Sequence, residues 1–285
     1  MQKYKKKTKT LEKIPIFGPK RTTDMKRTIL TIAALALFLP VFAQGTVNDQ
    51  ESEFGARISA GADYKIVKGL HLTAEGEFRT RDNFSDVGRL SAGAGLTYKV
   101  NDWLKIGGGY VFMAHHKSSG SWTPRHRAYA DATLSYKTDL WRFSLKERLQ
   151  YTHKEVNNTY QTNPNTIALK SRLKVSYRGA GDFTPYGFIE LRTVLNDPSC
   201  SATWDGSSYT NYSFTGYNDV YFNRYRLGLG TEWKLSKQHA FDFFILADYC
   251  YDKEIDTDSE GETLKSLTYD QTFAVSAGIG YVFSF

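Results

Sequence analysis

The chain has 285 residues, and 37 Lys and Arg against 30 Asp and Glu give it a formal charge of +7. Residues 1–43 hold 10 of the bases but only Glu12 and Asp24 of the acids, so the rest carries 27 minus 28, or −1. That near-neutral remainder excludes nucleic-acid binding driven by bulk charge. No nucleotide fingerprint, Gly-rich phosphate loop or zinc-type Cys/His spacing is present, so no cofactor and no metal is expected.

At the N-terminus, Met25-Lys26-Arg27 is a charged start, Thr28 to Phe42 an apolar stretch, and Val41-Phe42-Ala43 a small-residue cleavage site. These are the parts of a secretory signal, which places the signal at 25–43 with cleavage near Ala43. Residues 1–24 read as a Lys-rich extension upstream of a complete signal, with Met25 as the expected start; a basic surface-binding tail is the alternative. The apolar stretch is short for a membrane helix, and no run of about 18 apolar residues follows it, so spanning by helices is excluded. Residues 44–285 read as a single domain.

From Phe54 the apolar residues Phe54, Ala56, Ile58, Ala60, Ala62 and Tyr64 alternate with Gly55, Arg57, Ser59, Gly61, Asp63 and Lys65, a strand pattern. Beyond Val67-Lys68-Gly69, Leu70, Leu72, Ala74, Gly76 and Phe78 oppose His71, Thr73, Glu75, Glu77, Arg79 and Arg81, which completes a hairpin. The design recurs at 90–100, 104–114, 125–137, 140–152, 166–178, 185–195, 225–235, 241–251 and 272–285. Each segment reaches or exceeds the length a tilted strand needs to cross hydrocarbon.

Connections near Lys68, Asp102, Asp139, Gly179 and Lys237 are tight, whereas 82–88, 115–124, 153–165, 196–223 and 252–268 are longer and polar. Tyr64, Tyr98, Trp103, Tyr136, Trp141, Tyr177 and Trp233 sit beside the tight turns, and Phe78, Phe112, Tyr151, Tyr225 and Tyr251 near the long loops. Two aromatic belts, short periplasmic turns and long extracellular loops describe an all-β antiparallel transmembrane barrel.

Eleven segments are visible, yet bacterial barrels use an even number. About twelve strands are therefore expected, with ten as the alternative; Gln44 to Ser52 would supply a short first strand, or one segment does not span. Glu147 falls on the apolar face between Leu145 and Leu149, which a bulge or register shift would explain. The competing architecture is a secreted soluble β-sandwich that binds a ligand and turns its apolar faces inward.

The final segment, FAVSAGIGYVFSF, alternates aromatic and apolar residues and ends on Phe285. It looks like the C-terminal signal by which outer-membrane barrels are recognised for insertion. The stretches KGLHLTAEGEFRTRDNF, WRFSLKERLQYTH, LKSRLKVSYRG, GYNDVYFNRYRLGLG and LKSLTYDQTFAVSAGIGYVFSF resemble the domain of unknown function 2490 (DUF2490) family of Bacteroidota outer-membrane proteins, over nearly the whole chain after the leader. The resemblance implies a barrel in the cell outer membrane and no particular activity. Its partners would be outer-membrane lipids, lipopolysaccharide and the barrel-assembly machinery engaging the strand that ends at Phe285.

The face opposite the apolar one carries Glu75, Glu77, Arg79, Arg81, Arg127, Asp131, Arg142, Lys146, Arg148, Lys170, Arg172, Lys174, Glu190, Arg192, Arg224, Arg226, Glu232, Asp242 and Asp248, twelve bases to seven acids. Two readings fit: a narrow pore favouring anions, or a structural network of Arg–carboxylate pairs filling a small lumen. An alternative function rests on His116 and Ser118 in AHHKSSG, spaced as in the His-x-Ser of outer-membrane lipid-modifying hydrolases, with the imidazole as base for the hydroxyl. No acid or Asn follows to orient that imidazole. In DKEIDTDSEGE, Asp256, Asp258 and Glu260 precede Gly261 like the opening of a calcium loop, but Leu267 stands where the bidentate Glu should be, so a solvated acidic loop is expected. Export would let Cys200 and Cys250 form a disulfide, and spacing leaves pairing or two free thiols open. Glycines in GAGLTY and KIGGGY are read as allowing strand curvature and close approach.

Overall fold

A computed structural model describes residues 46–285 apart from 118 and 259, with side chains from residue 53 onward. The signal segment and its extension lie outside the described residues. The described chain forms β1 (Thr46–Val67), β2 (Leu70–Arg81), β3 (Asp86–Lys99), β4 (Leu104–His116), β5 (Trp122–Lys137), β6 (Trp141–Lys154), β7 (Asn165–Tyr177), β8 (Phe183–Trp204), β9 (Tyr209–Lys234), β10 (His239–Thr257) and β11 (Leu264–Ser284). Each strand pairs with its sequence neighbours, and β1 pairs with β11 to close a barrel.

The two faces of that barrel are inverted relative to a soluble protein. Ile58, Leu229 and Ile245 are 53–60% exposed, while Glu190, Asp248 and Asp131 keep only 2–8% of their surface. Apolar side chains turned outward and ionic ones turned inward suit a barrel wrapped in hydrocarbon. A sandwich would bury the apolar set between two sheets, and no second sheet lies against it among the described residues. The turn belt is visible as paired rings: Trp141 packs on Tyr177 at 5.0 Å, Phe183 stacks on Trp233 at 5.8 Å, and Phe285 meets Tyr64 at 5.9 Å. At the first turn, Gly69 holds φ +86°, where a Cβ would stand 3.2 Å from the Lys99 carbonyl oxygen.

Among the described residues the strands number eleven, close to the expected count of about twelve. An even number is required only when every neighbouring pair is antiparallel; here β1 and β11 run parallel, Glu53 opposite Ala274 through Asp63 opposite Ser284. Of the segment expected as a first strand, Gln44 and Gly45 lie outside the described residues, and Thr46 to Ser52 belongs to β1. The long loops expected at 196–223 and 252–268 are corrected: most of their length continues β8 to β11. Beyond the closed wall the residues on both faces are largely polar, so the apolar alternation that marks a strand fades while the backbone ladder persists.

Pairing of β9 with β10 ends at Arg224 and Cys250. Beyond it, the β8–β9 and β10–β11 hairpins rise as two ribbons fastened by Lys253, whose Nζ contacts Asp219, Asp197 at 3.4 Å and the Pro198 carbonyl at 2.5 Å. The β6–β7 loop docks onto them: Asn158 donates to Thr257 Oγ1 at 3.2 Å, Gln161 to Asp256 Oδ1 at 3.1 Å, and the Tyr217 hydroxyl to the Thr159 carbonyl at 2.8 Å.

Glu147 needs neither bulge nor shift. Pairing of β6 with β5 and β7 is regular through it, and its outward carboxylate accepts from the Ser171 hydroxyl at 2.6 Å.

Candidate functional site

Strand alternation brings the inward residues of all eleven strands into one lumen, and their cross-strand register sets which charges meet. Nearer the short turns, one row reads Arg172, Glu190, Arg226, Asp248 across β7 to β10. Signs alternate along it. Arg172 donates to Glu190 Oε2 from Nε at 2.7 Å and from Nη2 at 2.5 Å. Lys170 Nζ lies 2.9 Å from the other oxygen, off the axis of a directed hydrogen bond. Arg226 grips Asp248 with Nε at 2.5 Å and Nη2 at 2.9 Å, and Arg57 reaches Asp248 from β1 at 2.9 Å. Fork-to-carboxylate pairs of this kind are the strong ones.

Smaller hubs complete the network. Glu77 takes Arg79 at 2.6 Å and Arg89 at 2.7 Å. Asp131 takes Arg148 at 2.6 Å and Lys146 at 3.1 Å. Glu232 takes Lys174 at 2.8 Å, and Asp242 accepts from the Tyr186 hydroxyl at 2.8 Å. Glu75 has no ion pair among the described residues but lies within electrostatic reach of Glu77, Arg148, Arg79 and Lys146. Arg81 pairs with Asp86 at the outer rim at 2.6 Å. Arg142 differs: it is exposed at the short-turn rim and makes no ion pair among the described residues.

One strand pair nearer the long loops, the register is different. Arg148 stands opposite Lys170, Lys170 opposite Arg192, and Arg192 opposite Arg224, an unbroken run of four cations on β6 to β9. Among the described residues Arg192 and Arg125 have no ion pair, Arg127 donates only to Thr152 Oγ1 at 3.0 Å, and Arg224 comes no nearer to a carboxylate than 3.9 Å from Glu190. Arg127 on β5 is within electrostatic reach of Arg192 and Arg224 on the opposite wall, and Arg125 of Arg192.

The lumen is not completely filled by side chains. Lys146 and Arg172 each retain 33% of their side-chain surface. Toward the short turns the wall becomes aromatic: Tyr186 and Phe188 lie across β9 over Gly230 and Gly228, where any Cβ would clash with the rings. Lys174 caps Tyr186 at 3.6 Å and Arg172 caps Phe188 at 4.4 Å. The glycines of GAGLTY and KIGGGY serve the same end, since Gly95 and Gly109 lie under the Tyr129 hydroxyl.

Sequence reasoning missed Arg57, Arg89 and Arg125 as lumen charges. Their period-two parity was the available signal: Arg125 is two residues before Arg127, and Arg57 shares the face of Gly55 and Ser59.

The other candidates separate. His116 Nδ1 lies 3.1 Å from Asp86 Oδ1, and its ring packs on Trp122 at 4.8 Å; the orienting acid precedes the His by thirty residues instead of following it. Ser118 lies outside the described residues. Asp258 closes the β10–β11 turn, accepting from the Glu262 amide at 2.7 Å and from the Thr263 hydroxyl, which hold its carboxyl below the ordinary carboxylate range. Asp256 is taken by Gln161. Cys200 lies opposite Phe214 and Cys250 opposite Arg224, and both are free thiols.

A family model described as "Protein of unknown function (DUF2490)" matches residues 55–258, well over half of the chain. The chain belongs to the DUF2490 family. This DUF2490 barrel is also similar to a solved structure described as "NanC porin structure in rhombohedral crystal form", at 13% identity and a TM-score of 0.37, covering 80% of this chain and 99% of that one. A second, outer-membrane expressed OmpT of Vibrio cholerae, shows 10% identity and a TM-score of 0.31 over 70% of this chain and 59% of that one. No curated protein matches. Likenesses this distant carry no argument about solute or role.

Proposed function

We propose that this DUF2490 protein is a narrow, anion-favouring channel of the outer membrane, delivered there by the signal at 25–43 and inserted through its C-terminal strand among outer-membrane lipids and lipopolysaccharide. The observation that carries the reading is the set Arg125, Arg127 and Arg192, lumen cations to which no described carboxylate is paired. A lumen built only for rigidity would match its charges, as the row through Glu190 and Asp248 does. Rings of Arg and Lys favour anions by field and by donor geometry. The residual exposure of Lys146 and Arg172 supports a hydrated path.

Planar-bilayer recording of the refolded protein under a potassium chloride gradient tests this. The expected result is discrete steps with a reversal potential on the chloride side. Cation preference, or a silent bilayer containing correctly folded barrel, would remove the channel reading.

A further inference from the structure

The lumen arginines do more than bias a field. Building on the anion-favouring reading, we propose that Arg125 and Arg127 on β5, with Arg192 and Arg224 on β8 and β9, form a saturable site for a compact oxyanion carrying two or more negative charges, a phosphoryl dianion being the simplest case.

Three independent observations converge on these residues. The first is register: like charges directly opposite one another destabilise a sheet, yet Arg192 is flanked by Lys170 on one side and Arg224 on the other. On β7 to β9 the neighbouring row alternates Arg172, Glu190 and Arg226, so these strands accommodate the favourable pattern one step away from the cationic run. The second is hydrogen bonding. Nε of Arg125, Nε of Arg224 and Nε of nearby Arg89 are all shielded from solvent and have no acceptor among the described residues. A buried donor left without an acceptor is costly, and three such donors on lumen arginines call for an acceptor that enters the lumen. The third is placement: β5 stands across the lumen from β8 and β9, and Arg127 interacts electrostatically with Arg192 and Arg224, as Arg125 does with Arg192.

Charge decides the class of ligand. Arg125, Arg127 and Arg192 have no carboxylate, and Arg224 has only the distant edge of Glu190, whose oxygens already hold Arg172 and Lys170. A monoanion compensates one wall and leaves the other unmatched. An oxyanion with two or more charges on a few oxygens offers an edge to each guanidinium fork, the geometry Arg binds best. Thr152 beside Arg127 and the Cys250 thiol opposite Arg224 complete a polar lining.

The test is calorimetric titration of inorganic pyrophosphate into the detergent-refolded chain at pH 8, with heat-modifiable gel migration confirming that each variant is folded. Saturable binding is expected, weakened at least tenfold by Arg127→Gln with Arg192→Gln, reduced less by Arg192→Lys, which keeps charge but loses the fork, and unchanged by Lys99→Gln at a short-turn rim. Should the double variant fail to fold, the comparison of Arg192→Lys with Lys99→Gln stands in its place. Absence of saturable binding, equal binding by Arg192→Lys and the parent chain, or equal losses in Arg192→Lys and Lys99→Gln would overturn the site. Chloride-selective conductance without pyrophosphate binding removes the site and leaves the channel; binding without conductance removes the channel.

Discussion

Two adjacent rows that share β7, β8 and β9 solve opposite problems. From β7 to β10, Arg172, Glu190, Arg226 and Asp248 alternate in sign, Lys146 faces Arg172 on β6, and Arg57 reaches Asp248 from β1. From β6 to β9, Arg148, Lys170, Arg192 and Arg224 face one another as like charges, and a carboxylate, Asp131, meets the run only at its β5 end. Strand order, twist and solvent are shared, so the difference comes from side-chain identity alone. A charged lumen is therefore not one property: one layer braces the wall, and the next keeps cationic donors available to something that enters.

Substitutions can break this contrast. The largest effect belongs to Glu190→Gln, which takes the carboxylate from Lys170, Arg172, Arg224 and Arg226 at once. Removing one partner of a buried pair costs about 3–5 kcal/mol, so urea unfolding in detergent should show a loss of that order; parent-like stability would end the claim that this row braces the barrel. Arg192→Gln should act in the reverse sense. Relief of two like-charge contacts leaves folding stability unchanged or raised by up to about 1 kcal/mol, while the reversal potential under a chloride gradient moves toward zero. A loss of stability as large as that of Glu190→Gln would merge the two rows into one.

The outward face offers a sharper control. Glu147 sits among Leu145 and Leu149 with only Ser171 as donor. Carboxylates on the lipid face cost less than the ~2–4 kcal/mol of Arg or Lys at mid-depth. Glu147→Leu should therefore stabilise the folded barrel by about 1 kcal/mol in lipid vesicles without changing ion preference. A change in selectivity would mean that this face also serves the conduit.

The smallest effect lies at the β8–β9 turn. There the amides of Ser207 and Ser208 hold the Asp205 carboxyl at about 2, below its ordinary 3.8. A carboxyl depressed by folding contributes its stabilisation above about 4 and loses it as pH falls toward 2. Hydrogen exchange of Ser207 and Ser208, corrected for its intrinsic pH dependence, should accelerate over that window in the parent and not in Asp205→Asn, whereas exchange in the lumen rows should be the same in both.

How much of this was legible from the residues follows from what alternation can and cannot carry. Period two separates the oil-facing Ile58, Leu229 and Ile245 from the lumen set, because hydrocarbon on one face leaves no freedom of sign. It does not carry register. Arg57 and Asp248 are 191 residues apart and Asp86 precedes His116 by thirty, so which charges meet depends on pairings no local pattern states. The raised ribbons of β8 to β11 were hidden for a related reason: there Ser201 faces Ser213 and Thr203 faces Thr210, and the contrast between faces that reveals a strand is gone. Parity raised the expected strand count to about twelve because it presumes antiparallel neighbours throughout.

That presumption fails at one place, the junction of β1 with β11. Its slanted bonds are slightly weaker per residue than those of the ten antiparallel junctions around the rest of the wall. It also joins segments more than two hundred residues apart, so it can form only after the whole cylinder has curled round to meet itself. Yet sixteen residue pairs hold that clasp against nine between β7 and β8, so its length offsets its weaker bonds, and under thermal or mechanical load the cylinder would first unroll along the shorter β7–β8 seam.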